Sequence, residues 1–302
     1  MNLSTPAAER TCPMKKLLAL LCLIAVLLTS AALADSVTVV CSFYPIRIFA
    51  ENVLKDVPDV ELQTLAPAGT GCLHDFQLLP GDLRALAQAK CLIINGAGME
   101  DQFLPLLQKE MGDLPLVDCS LGITLIEEDE GPNPHIWLNT LNAQQMVLNM
   151  GEQLAALMPE HAEQISANAA AYAGRLSALH DELAAELKDL PSRDIVTFHE
   201  AYPYFAEEFG LNVVASVCVE PDEAPSPYMI AETVEKIRNY ALCPLFSEPG
   251  VASDALEVIA RETKQPVYEL SPITDGDGAA DAYEAGMRKN VETLTEALGA
   301  AE

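Results

Sequence analysis

The chemistry open to this chain rests on a few side chains. Of its five histidines, His161 and His180 fall inside one long helical pattern and read as exposed or capping groups. His74, His135 and His199 each fall in a segment connecting predicted elements, and Asp275 stands at the mouth of another. Three neutral imidazoles and a carboxylate suit a divalent transition metal in a closed tetrahedral site, with bonds of about 2.0–2.2 Å. Residue types alone leave a second reading open, in which the histidines are incidental to their loops. A secreted zinc hydrolase is a rival, since three histidines can hold a catalytic zinc with water in the fourth place. Against it, Asp275 would fill that place, and neither H-E-x-x-H nor an obvious general base is present.

Donors so far apart in sequence need elements that bring them together. Between Pro159 and Leu190, apolar residues recur at Ile165, Ala169, Tyr172, Leu176, Leu179, Leu183, Leu187 and Leu190, steps of four and three that keep one helical face apolar. Proline at the first position and Pro191 beyond the end bound this helix, which would run roughly 45 Å. Gly174, its one glycine, costs about 1 kcal/mol. On either side, short apolar runs alternate with helical patterns. SVTVVCSF, VELQTLAP, KCLIINGAG and PLVDCS precede the helix, and RDIVTF, NVVASVCVE, PLFSEPG and PVYELSPI follow it. Such alternation calls for parallel sheets with right-handed crossovers. The expected fold is α/β, with two lobes, each a mainly parallel sheet flanked by helices, joined by one long rigid backbone helix. The expected organisation is a signal peptide over 1–34, an N-terminal lobe over 35–158, the linker helix over 159–190 and a C-terminal lobe over 191–302. His74, His199 and Asp275 then follow predicted strands, where open parallel sheets bind ligands.

Met14-Lys15-Lys16, the apolar run LLALLCLIAVLLTSA and Ala32-Leu33-Ala34 have the form of a secretory signal with a small-x-small cleavage site. Either Met1 or Met14 could be the start. Leu20 and Leu21 before Cys22 argue against lipid attachment there. Export to the periplasm or the outer face of the cytoplasmic membrane is therefore expected. A net charge of −28 opposes binding to nucleic acid or anionic lipid. Export permits disulfides among Cys41, Cys72, Cys91, Cys119, Cys218 and Cys243, but their spacing fixes no pairing, and no C-x-x-C is present.

Taken in order, SFYPI at 42–46, GCLHDFQLLPGD around His74, LIINGAGME at 92–100, NPHIWLNT around His135, TFHEAYPYFAEEFGL around His199, FSEP at 246–249 and TDGDGAADAYEAGMRKN at the end form a specific series. Over essentially all of 35–302 the chain resembles the metal-specific solute-binding proteins of ABC importers for zinc and manganese. The resemblance implies capture of a divalent metal by a non-enzymatic protein acting as a monomer, and delivery to an ABC-type permease in the membrane. Some relatives with this fold act in adhesion. Carried over by motif, the ligands are His74, His135, His199 and Asp275, the last matched through Thr274-Asp275, with Asp277 and Asp281 as competitors.

Manganese-type relatives usually carry a carboxylate at the third position, where His199 stands. Three nitrogens favour Zn2+ over Mn2+, the alternative cargo. Asp75 and Glu200 adjoin two of the histidines and could hold imidazole N–H groups. Cys72 could supply sulfur, although the family pattern does not call for it. Where zinc-type relatives often have a histidine-rich loop, this chain has the acids 127–130, read as solvated surface.

Overall fold

The computed structural model describes residues 36–73, 76–128, 131–218, 224–251 and 253–299. The expected signal segment, Cys22, His74 and Asp75 lie outside them. The apolar runs form the expected strands. β1 (Val37–Phe43), α1 (Tyr44–Val53), β2 (Val60–Ala66), α2 (Pro80–Leu86), β3 (Cys91–Ile94), α3 (Leu104–Glu110) and β4 (Leu116–Asp118) alternate as strand and helix. They build one four-stranded sheet in the order β2-β1-β3-β4, parallel throughout. Every residue of β3 is buried, as strands covered on both faces require.

Two elements were not legible in the acidic stretch: the two-residue strands β5 (Glu127–Glu128) and β6 (Gly131–Pro132) pair antiparallel. A 3-10 turn over Ile136–Leu138 leads into α4 (Thr140–Leu157), whose first turn is capped by the Asn139 side chain accepting from Leu141 N and Asn142 N, both at 2.9 Å. After a 3-10 turn at Pro159–His161 comes α5 (Ala162–Glu186), the long helix. It buries Ile165, Ala169, Tyr172, Leu176, Leu179 and Leu183, as their spacing predicts. It packs on α4 at Gly151, where a Cβ would overlap that of Ala169. Gly174, by contrast, faces open space.

Beyond it, β7 (Asp194–Thr197), α6 (Pro203–Phe209), β8 (Asn212–Ser216), α7 (Pro227–Ile237), β9 (Leu245–Ser247), α8 (Asp254–Thr263), β10 (Val267–Glu269) and α9 (Ala282–Gly299) complete the chain. The second sheet runs β10-β9-β7-β8, again all parallel. The fold is thus α/β with two parallel sheets flanked by helices.

The two halves share much of their packing. One buried cluster runs from Val39 in β1 through Tyr172 in α5 to Tyr204, Leu270 and Leu298, and a smaller one lies under the second sheet. Trp137 Nε1 donates to Pro272 O at 2.8 Å, and Tyr283 OH returns a bond to Trp137 O at 2.7 Å. The terminal helix α9 leaves the second sheet to lie on α5 and α1. There Glu284 meets Arg175 Nε at 3.2 Å, and Asn52 Nδ2 donates to Ala280 O at 2.8 Å. From Val37 onward the chain forms one compact unit. Among the described residues, no helix is long and apolar enough to cross a membrane.

Most cysteines behave as small buried hydrophobes. Burial pushes the thiols of Cys41 and Cys119 well up and those of Cys91 and Cys243 up to about 12, which removes them from thiolate chemistry at neutral pH.

Candidate metal centre

In the second sheet, strand order reverses between β7 and β9, and open parallel sheets bind ligands beyond the carboxyl ends of strands at such a switch point. β7 and β9 run in register with Thr197 opposite Phe246, so two further residues on each strand bring His199 opposite Glu248. His199 is 1% exposed, and its Nδ1 is hydrogen-bonded to Glu248 Oε1. A carboxylate accepts only, so Nδ1 carries the proton and the lone pair resides on Nε2.

His135 is fixed by a different local device. Asn133 Oδ1 accepts from the backbone N–H of His135 at 3.0 Å and meets its Nδ1 at 3.1 Å. The Asn133 amide cannot be turned round, because its Nδ2 donates to Glu200 O at 2.8 Å and to both Glu128 carboxylate oxygens at 3.0 and 3.1 Å. Nδ1 of His135 is therefore the donor and Nε2 the lone pair. Tyr204 OH donates to Asn133 O at 2.9 Å, tying this turn to α6. At 2% exposure, His135 sits with its ring centroid 4.8 Å from that of His199, edge to face. A side chain from the first half and one from the second thus meet with both Nδ1 atoms engaged.

The third member is Cys72, on the glycine-containing loop after β2, with Sγ 3.6 Å from His135 Nε2. Among the described residues, Cys72, His135 and His199 form the group whose donor atoms all lie within 4.8 Å of one another. Asp275 is outside this group. It is exposed, its Oδ1 accepts from Gly276 N at 2.8 Å, and it flanks Gly69, whose N–H donates to Thr274 O at 3.2 Å. Asp277, its competitor, is likewise exposed and accepts from Ala279 N at 2.9 Å. His74 lies outside the described residues.

Among the described residues, the structure thus brings His135, His199 and Cys72 together and leaves Asp275 exposed outside that group. The groups seen on the Nδ1 atoms of His135 and His199 are Asn133 and Glu248, where the sequence pointed to Glu200 beside His199; Asp75, expected beside His74, lies outside the described residues. Glu200 joins the network through its backbone carbonyl. The available signal was that His199 and Glu248 follow adjacent parallel strands, which requires the strand order. Of the acidic stretch, Glu127 and Glu128 are exposed, yet the Glu128 carboxylate helps hold the Asn133 amide. Desolvation of its carboxyl group raises Glu128 above its ordinary value, and the Asn133 hydrogen bond pulls it back.

Residues 39–297 match the family described as zinc-uptake complex component A, periplasmic. The chain is 31% identical to the zinc-binding protein AdcA of Streptococcus pyogenes, an alignment covering 93% of this chain and 61% of the relative. It therefore spans less than two thirds of that protein's length. With the high-affinity zinc uptake system protein ZnuA of Bacillus subtilis it shares 27% identity over 87% of this chain and 88% of the relative. Among solved structures, the solute-binding protein FpvC of Pseudomonas aeruginosa in complex with Ni2+ superposes with a TM-score of 0.79 at 28% identity, covering 88% of this chain and 98% of that one.

Proposed function

The chain belongs to the periplasmic zinc-uptake component A family, and on that premise we propose that it captures a divalent transition metal, zinc foremost, outside the cytoplasmic membrane and hands it to an ABC-type permease. His74, His135, His199 and Asp275 are the proposed ligands. The observation that carries the reading is the pairing of two buried histidines from opposite halves of the chain, each with Nδ1 on an acceptor. Such acceptors fix ring orientation and raise ligand basicity, which is how metal-binding histidines are supported. Nitrogen donors favour Zn2+, and Mn2+, which prefers oxygen, is the weaker cargo.

The protein acts by binding rather than by catalysis, and exported localisation goes with that role. Delivery needs the ion to leave, and the shared core between the halves argues for a small conformational change on loading. Release then comes from the permease disturbing the ligands.

Zinc titration of metal-stripped protein against a competing chelator tests this. The expected result is one tightly held ion per chain and a loss of affinity of at least a hundredfold in His135→Ala and in His199→Ala. Equal affinity in wild type and both variants would end the reading. A hydrolase would instead keep its metal in Asp275→Ala and expose an open position on it, whereas a capture protein that uses this carboxylate binds more weakly there.

A further inference from the structure

Among the described residues, the donors that lie together include one that the family motif does not supply. Asp275 is exposed, while the half-buried Cys72 contacts His135. The geometry points to Cys72 as a thiolate ligand of the captured ion, bonded to it together with the Nε2 atoms of His135 and His199, and tuning the site toward soft and borderline cations. This inference rests on the proposed metal-capture function and gives Cys72, rather than the exposed Asp275 of the family motif, a position on a tetrahedral ion.

Distance is the first argument. Zn–S bonds of about 2.3 Å and Zn–N bonds of about 2.05 Å at a tetrahedral angle put sulfur and nitrogen about 3.6 Å apart. Cys72 Sγ and His135 Nε2 stand 3.6 Å apart without an ion. Each of the three side chains offers a donor atom within 4.8 Å of the others, a spread that closes on one tetrahedral ion with movements of about 1.5 Å.

Tautomer is the second. Asn133 and Glu248 occupy the Nδ1 positions, so the atom of His135 that faces Cys72 is the one carrying a lone pair. Environment is the third. Cys41, Cys91, Cys119 and Cys243 are fully buried among apolar side chains, whereas Cys72 is half-buried on a loop where an ion can reach it.

On binding, the Cys72 S–H bond breaks, its proton leaves to solvent, and the sulfur lone pair forms the bond to the metal. No oxidation is involved. The competing arrangement is a Cys72 S–H group that donates to His135 Nε2 and never touches the ion. Thiolate donors favour Zn2+ and Cd2+ and disfavour Mn2+, so the two arrangements differ in selectivity.

Cobalt(II) separates them. The full chain, stripped of metal and given one equivalent of Co2+, should show the visible bands of tetrahedral cobalt and a near-ultraviolet thiolate-to-cobalt charge-transfer band. In Cys72→Ser the charge-transfer band should vanish while visible bands persist, and Cd2+ affinity should fall at least tenfold more than Mn2+ affinity. Visible bands without the charge-transfer band in wild type, or the band surviving in the variant, overturns Cys72 as a ligand and leaves metal capture standing. Absence of any cobalt or zinc binding overturns both. The wild-type spectrum decides the point even if the variant fails to fold.

Discussion

Replacing Glu248 should weaken metal binding through His199 without removing a ligand. Glu248 is 11% exposed and His199 1%, so the hydrogen bond between them is shielded from water. Charge-assisted hydrogen bonds are worth roughly 1.5–3 kcal/mol. Expressed wholly in metal affinity, that is about a tenfold to hundredfold loss, since each tenfold is about 1.4 kcal/mol. Glu248→Ala should reach the upper part of this range, because the ring loses its anchor as well as the charge. Glu248→Gln keeps an acceptor for Nδ1–H and should lose about tenfold. The assay is competition for zinc with a chromophoric chelator at fixed pH and salt. A cycle with His199→Ala isolates the coupling, and once the imidazole is gone neither Glu248 substitution should cost more. Affinity of Glu248→Ala within twofold of wild type, or an equal cost in the His199→Ala background, would refute the argument that Glu248 acts by holding the ring.

Glu208 lies under the junction of the two halves, with Thr140 N at 2.9 Å and His180 Nδ1 at 2.8 Å. Burial raises its carboxyl above the ordinary value, and these hydrogen bonds pull it back down. Glu208→Ala strands both donors and should cost about 2–4 kcal/mol in urea unfolding, with zinc affinity within threefold of wild type. Gly151→Ala should destabilise by about 1–3 kcal/mol through overlap with Ala169. Ala169→Gly in the same chain should recover part of that, read from the denaturation midpoint. Glu100 is buried, and desolvation pushes its carboxyl up to about 7 against donated bonds from Asn95 N and Gly96 N. Its folded value exceeds its unfolded one, so its contribution is full below about pH 4.5 and is lost as pH rises to about 7. The difference is on the order of 3 kcal/mol. Glu100→Gln should remove that part of the slope between pH 5 and 8, and an unchanged slope would contradict the burial argument.

What the sequence carried was whatever period and length can encode. Ile165 to Leu187 repeats every three or four residues and is one buried stripe. VTVVCSF and CLII are too apolar and β-branched to be anything but covered strands. His199 was legible because it stands just past a parallel strand, where such sheets bind ligands, and His135 through its motif. The remainder of the site depends on pairings that no local pattern records. Glu248 reaches His199 only because β9 lies beside β7 in register. The Asn133 amide acquires its orientation from Glu128 and Glu200 O, and Cys72 its neighbour from the path of a glycine loop. The two-residue ladder of β5 and β6 is shorter than any alternation could reveal.

The central claim is that one ion bridges the two halves through His135 and His199. The most direct test is a crystal structure of zinc-loaded protein with anomalous differences collected on both sides of the zinc edge. The account predicts a single strong peak within bonding distance of both Nε2 atoms, with Asn133 and Glu248 still on the Nδ1 side. A peak elsewhere, or one touching only one of the two imidazoles, would contradict it.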